Sequence, residues 1–210
     1  MISGLGKLSI GGCGLFLGVL LSGCAGPTWL TGGGKQTSAA ENANVTMDVP
    51  TGWMRLNRDP SVLMGKKDRK TEVLMILVRD GVTLQNVHLL RQRVDGELEF
   101  SKKKLAKDLL PQEFAEALYD DVRSDPNKGG QELLESAPAQ VGGQPGFRLA
   151  YRYTTKGGLQ REAVQYGTIR EPWLYSVLYD APIRHYFKKS LSDFEHMRES
   201  LSFGPGGATH

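Results

Sequence analysis

Between Leu133 and Tyr179 four apolar segments follow one another, and a turn signal stands at each of the three joints. Gly142-Gly143 closes the segment Leu133–Val141. Lys156-Gly157-Gly158 closes Gly146–Thr155, and Glu171-Pro172 leads from Leu159–Arg170 into Trp173–Tyr179. Joints this short connect antiparallel neighbours, so this stretch is confined to strands paired in hairpins. Period-two alternation agrees. Phe147, Leu149, Tyr151 and Tyr153 fall on one face of their strand; Trp173, Tyr175, Val177 and Tyr179 share a face, with Leu174 and Leu178 on the other.

The preceding residues extend the same pattern. Val45, Met47 and Val49 alternate in an opening strand that ends at Pro50-Thr51-Gly52 and continues into Trp53–Leu56. Ser61–Gly65 reads as a short strand. The continuous run Val73–Val78 suits a central strand covered on both faces. Asp80-Gly81 then predicts a hairpin, because Gly accepts the positive φ such turns require. The return strand is expected from about Val82 to Val94, with Val87, Leu89, Arg91 and Arg93 on one side.

Two segments change period. Leu109–Val122 places Leu110, Phe114, Leu118 and Val122 on one helical stripe, with Pro111 near its start and Glu113, Glu116, Asp120 and Asp121 toward water. Asp125–Gly130 is expected to be an exposed loop. Arg184–Phe203 predicts a helix with Phe187, Leu191, Phe194, Met197 and Leu201 inward. The fold class is therefore α+β: a largely antiparallel β-sheet covered by helices.

The amino terminus sets the compartment. Lys7 precedes an apolar stretch that ends in Leu21-Ser22-Gly23-Cys24. The stretch suits a signal peptide, whose apolar centre runs to about 7–15 residues, better than a spanning helix of about 20. The order Leu, small residue, Gly, Cys resembles the lipobox of bacterial lipoproteins. That resemblance implies removal of residues 1–23, with Leu21, Ser22 and Gly23 recognised by the signal peptidase and a lipid carried on Cys24. Ala25 rather than Asp follows the cysteine, which by the same resemblance favours the outer membrane in a Gram-negative host. With Cys13 removed, Cys24 is the one cysteine left, so neither an intramolecular disulfide nor a cysteine metal site can form. Residues 24–44, rich in Gly and polar groups, read as a flexible tether. Residues 45–203 form one domain, and 204–210 a disordered tail.

A second resemblance is carried by Pro50-x-Gly52-Trp53, the turn Val141–Phe147, the strand Trp173-Leu174-Tyr175 with Tyr179-Asp180-Ala181-Pro182, and the ending Glu199–Phe203. This succession resembles the PsbP-like superfamily of α/β/α sandwiches, which includes bacterial envelope lipoproteins of the DcrB type. The resemblance implies a non-enzymatic domain that docks on protein partners.

The residues themselves offer no chemistry to set against this. His88, His185, His196 and His210 make no metal-ligand spacing, and no nucleophile elbow occurs. No catalytic residue, metal ligand or cofactor is assigned. A net charge of +3 on an exported chain gives no case for nucleic acid. Lys102, Lys103, Lys104 and Lys107 form one basic cluster, read as a solvated helix face that could touch anionic headgroups or a partner. The leading expectation is a lipid-anchored, periplasm-facing envelope lipoprotein that contacts the membrane through Cys24 and binds an envelope protein. A small-ligand carrier with a pocket lined by Tyr151, Tyr153, Trp173, Tyr175 and Tyr179 is the alternative. A hydrolase using the acidic cluster ranks last.

Overall fold

A computed structural model describes residues 29–38, 43–57, 71–106 and 108–204 of the chain. Eleven strands and two helices lie within these residues. The strands are β1 (Trp29–Thr31), β2 (Gly34–Thr37), β3 (Val45–Val49), β4 (Met54–Leu56), β5 (Thr71–Arg79), β6 (Gln85–Arg93), β7 (Lys128–Val141), β8 (Gln144–Thr155), β9 (Gln160–Arg170), β10 (Trp173–Pro182) and β11 (Ser202–Phe203). The helices are α1 (Pro111–Ser124) and α2 (Lys188–Glu199).

The main sheet has eight strands in the order β1-β4-β5-β6-β10-β9-β8-β7, all pairs antiparallel. A second sheet joins β11, β3 and β2. The meander expected from Leu133 onward is present as β7–β10. Gly142 and Gly143 have φ of 56° and 76°, the left-handed backbone that a tight turn there demands. β10 then pairs with β6, Leu178 facing His88, and so closes the two halves of the chain into one sheet.

Each face carries its own core. On one face α2 and β3 cover Trp53, Leu77, Val87, Leu89, Val177 and Tyr179, with Phe187, Phe194 and Met197 pressed down from above. On the other, α1 covers Phe147, Leu149, Tyr151 and Leu174 with Phe114, Ala115 and Ala117. This is an α/β/α sandwich. It agrees with the α+β class read from the residues.

The Val73–Val78 run is an interior strand, but a bulge between Val73 and Met75 turns Leu74 and Met75 into the same core. Such an extra residue bends the strand and re-aims its side chains. Other expectations need correction. Part of the tether is folded: β1 and β2 pair with β4 and β3, and Ala43 is buried. β6 starts at Gln85, not Val82, because residues 81–84 turn, with the Leu84 N–H bonded to the Gly81 carbonyl at 3.2 Å. Leu110 is 63% exposed and stands just ahead of α1, where its N–H donates to Glu113 at 2.7 Å. The last helix is shorter than expected at both ends. Ile183–Phe187 is a wide turn with His185 at φ 70°, and Leu201 and Phe203 follow the helix. The strand expected at Ser61–Gly65 lies outside the described residues.

Candidate functional site

The turn from β9 to β10 gathers arginines around a tryptophan. Register places Trp173 opposite Arg170 on one side and Arg93 on the other. Trp173 is half-buried, and two guanidiniums flank its ring: Arg91 Cζ at 4.3 Å and Arg93 Cζ at 5.6 Å from the centroid. A guanidinium over an indole face is attracted by the ring quadrupole. Arg91 also meets Glu72 at 2.6 Å, and Arg93 pairs with Asp95 at 3.0 Å, so both are held in place. Arg170 differs. Its guanidinium lies 4.5 Å over the Phe203 ring, and it has no carboxylate partner among the described residues. Phe203 in turn packs edge-on against Tyr175, with centroids 5.2 Å apart. The tip is thus an exposed turn, Glu171-Pro172, backed by two half-buried aromatic rings and three arginines.

The other candidates have different surroundings. Lys102, Lys103 and Lys104 are not on a helix. They form a folded-back turn in which the Leu98 N–H bonds to the Lys103 carbonyl at 2.9 Å and the Leu105 N–H to the Gly96 carbonyl at 2.8 Å. Leu98 and Leu105 are buried in the α1 core, and burying these two residues fixes the turn between them. Lys102 has φ 56°, and Lys103 reaches Asp120 at 3.6 Å across the surface. Lys107, Cys24 and Leu21–Gly23 lie outside the described residues.

Asp125, expected in an exposed loop, is 6% exposed. Burial pushes its pKa up, but hydrogen bonds from Asn127 and Lys128 outweigh that and hold it below the ordinary carboxylate value. Lys128–Gly130 already belong to β7.

The acidic stripe of α1 does not converge on a cleft. Asp121 accepts the N–H groups of Phe100 and Ser101 at 2.8 and 2.7 Å, Glu113 caps the helix, and Asp120 pairs with Lys103. These acids are spent on local structure. Among the described residues no three His, Cys, Asp or Glu side chains are placed to hold a metal ion, and no helix is long and apolar enough to cross a membrane. The aromatic residues considered for a pocket mostly fill cores instead. Tyr151, Tyr175 and Tyr179 are buried, and the Tyr179 hydroxyl is within bonding distance of Gln85 Oε1 (3.1 Å) and the Tyr186 (3.2 Å) and Phe187 (3.1 Å) carbonyls. Burial pushes the pKa of the Tyr151, Tyr153 and Tyr179 phenols up, so they stay protonated.

No protein-family model matches this sequence, and no curated protein matches it either. Solved structures do. Cyanobacterial PsbP (CyanoP) from Synechocystis sp. PCC 6803 superposes with a TM-score of 0.50 at 15% identity, over 93% of this chain and 99% of that one. The fold is PsbP-like. At lower scores, the PsbP-like domain is also similar to LpqN, involved in cell envelope biogenesis of Mycobacterium tuberculosis (TM-score 0.46, 13% identity, 85% of this chain and 92% of that one). PA94 of Pseudomonas aeruginosa, a protein of unknown function, gives 0.48 at 10% identity, over 82% and 99%. At such identities the likeness concerns the fold, and function has to be argued from the surface.

Proposed function

We propose that this is a non-enzymatic lipoprotein of the cell envelope, anchored through a lipid on Cys24 with its PsbP-like domain on the periplasmic side, that serves as a protein-binding or assembly module. Support for the anchor comes from the order Leu21-Ser22-Gly23-Cys24 behind an apolar stretch. Support for the absence of carboxylate chemistry comes from Asp120, Asp121 and Glu113 being engaged in surface pairs and caps.

The observation that carries the docking role is the β9–β10 tip. Trp and Arg dominate the energetics of protein interfaces, and here Trp173 stands beside Arg91, Arg93 and Arg170. The partner this tip fits presents an acidic side chain to Arg170 and an apolar one to the exposed edge of Trp173.

A photo-crosslinking residue placed at position 171 in intact cells tests this, with one at Glu116 on α1 as the control. A discrete adduct from position 171, absent from the control and lost with Trp173→Ala, is expected. Equal adducts from both positions would remove the docking assignment. For the anchor, Cys24→Ser is expected to leave unprocessed precursor. Mature, membrane-bound protein from that variant would contradict it.

A further inference from the structure

α1 packs chiefly on β7, β8 and β9 and reaches β10 at Leu174, which leaves β5, β6 and the Asp180 end of β10 on the same face without a helix over them among the described residues. A groove of about 490 Å³ lies there, inside the roughly 300–1,000 Å³ range of small-molecule sites. Its floor is Ile76 and Val78 of β5 with Asn86 and His88 of β6. Trp29 of β1 and Leu56 of β4 close one end, and Val82 stands at the rim, 57% exposed. The opposite wall is a polar knot. Arg161 donates to Asp180 at 2.6 Å and to the Thr83 and Leu84 carbonyls at 2.9 and 3.2 Å, and Tyr153 donates its hydroxyl to the other Asp180 oxygen.

We infer that this groove is a binding site for a small uncharged amphiphile: an apolar body on Trp29, Leu56, Ile76 and Val78, with a hydrogen-bonding head on Asn86 and His88. Two eliminations select that class. A charged ligand would find no counter-ion, because Arg161 and Asp180 already neutralise each other, at 8% and 21% side-chain exposure. An unpaired charge in an apolar groove is strongly unfavourable. A purely hydrocarbon ligand would cover the Asn86 carboxamide and His88 imidazole without bonding them. Neither side chain has a hydrogen-bond partner among the described residues, and a covered polar group without a partner costs free energy. An uncharged molecule with a hydroxyl or carbonyl at one end satisfies both conditions. The same reasoning says the site arrives rigid: Arg161 ties the β5–β6 turn to β9 and β10, so the wall that orients the head is set before binding. The inference stands independently of the docking role, since it uses the opposite side of β10 from Trp173.

The test is photoaffinity labelling of the full-length lipidated protein in lipid nanodiscs with a long-chain alcohol bearing a diazirine in its chain. Labelled peptides are mapped by mass spectrometry. Label is expected in the peptides containing Ile76–Val78 and Asn86–His88. 1-Decanol should displace it at a concentration about tenfold or more below that needed of decanoate or decyltrimethylammonium. Val82→Trp, a rim change at an exposed position, should remove the label while circular dichroism reports a folded chain. In Asn86→Leu/His88→Leu, decanol should lose its advantage over decane. Label spread evenly over the surface would overturn the inference, as would charged competitors matching decanol or unaltered labelling in folded Val82→Trp.

Discussion

The two faces of the main sheet are made of the same strands and finished differently. Under α2 the face is closed: Trp53, Leu77, Val177, Tyr179, Phe194 and Met197 are all fully buried. Tyr179 stacks between Phe187 and Phe194 with centroids 5.3 and 5.4 Å away. Across this face Asp193 of α2 accepts from both Arg79 and the Trp53 indole. Under α1, among the described residues, only half the face is covered, and the rest is the groove floored by Ile76, Val78, Asn86 and His88. Neighbouring residues of one strand show the contrast: Leu77 has no exposure, whereas Ile76 beside it lines open space. A continuous apolar strand therefore need not be equally covered on its two sides.

The largest expected effect breaks the closed face. Phe194→Ala removes a fully buried ring that contacts both Tyr166 and Tyr179, and should cost about 3–5 kcal/mol by chemical denaturation. A loss of only a few tenths would mean α2 does not seal that core.

A smaller effect comes from the open face, through His88. Burial pushes its pKa below the ordinary value of 6.5, with Asp180 opposing. The unfolded chain then binds the proton more readily, so stability is intact above about pH 6.5 and falls as the pH drops below it. Melting followed from about pH 7.5 to about pH 5.5 should therefore show a shallower decline in His88→Gln than in the parent protein. Identical slopes would mean that folding leaves the His88 pKa unchanged.

The smallest effect belongs to neither face. Lys102, Lys103 and Lys104 sit on an exposed turn, and the Lys103–Asp120 pair at 3.6 Å is about half exposed, so reversing all three charges should change stability by no more than about 1 kcal/mol. Unfolding of that variant would show the cluster to be structural.

What was legible in the residues and what was not divides along the same line. The closed face was readable because its determinants are local. Alternation fixes Trp173, Tyr175, Val177 and Tyr179 on one side of β10, and the spacing of Phe187, Phe194 and Met197 fixes the inward stripe of the last helix. Gly142-Gly143 and Asp80-Gly81 marked real turns. The groove was hidden because it is assembled from distant parts. Trp29 belongs to a three-residue strand in a Gly-rich stretch that reads as a tether, and it is ordered by pairing with Leu56, far along the chain. Val82 was assigned to a strand and stands in a turn. The insertion of β10 between β6 and β9, which brings Asp180 beside Asn86, leaves no trace in periodicity. The lysine turn was misread for a related reason. Its conformation is dictated by Leu98 and Leu105 seeking the core on either side of it, whereas a lysine run alone is equally at home on a helix. At the β9–β10 tip, the turn itself was visible, but the stacking of Arg91 on Trp173 depends on the cross-strand neighbour that only the sheet order supplies.

The most direct measurement of the claim that one face is closed and the other half open is a matched pair of substitutions on β5, Ile76→Trp and Leu77→Trp, compared by thermal melting. Overpacking a filled core costs about 1–3 kcal/mol, and in a chain of this size each kcal/mol moves the midpoint by about 2–4 °C. Leu77→Trp should therefore melt well below the parent protein. Ile76→Trp, whose indole enters the groove, should melt within about 2 °C of it. Equal losses from the two variants would mean that the half-face beneath Ile76 is as tightly packed as the core under α2, and would contradict the account.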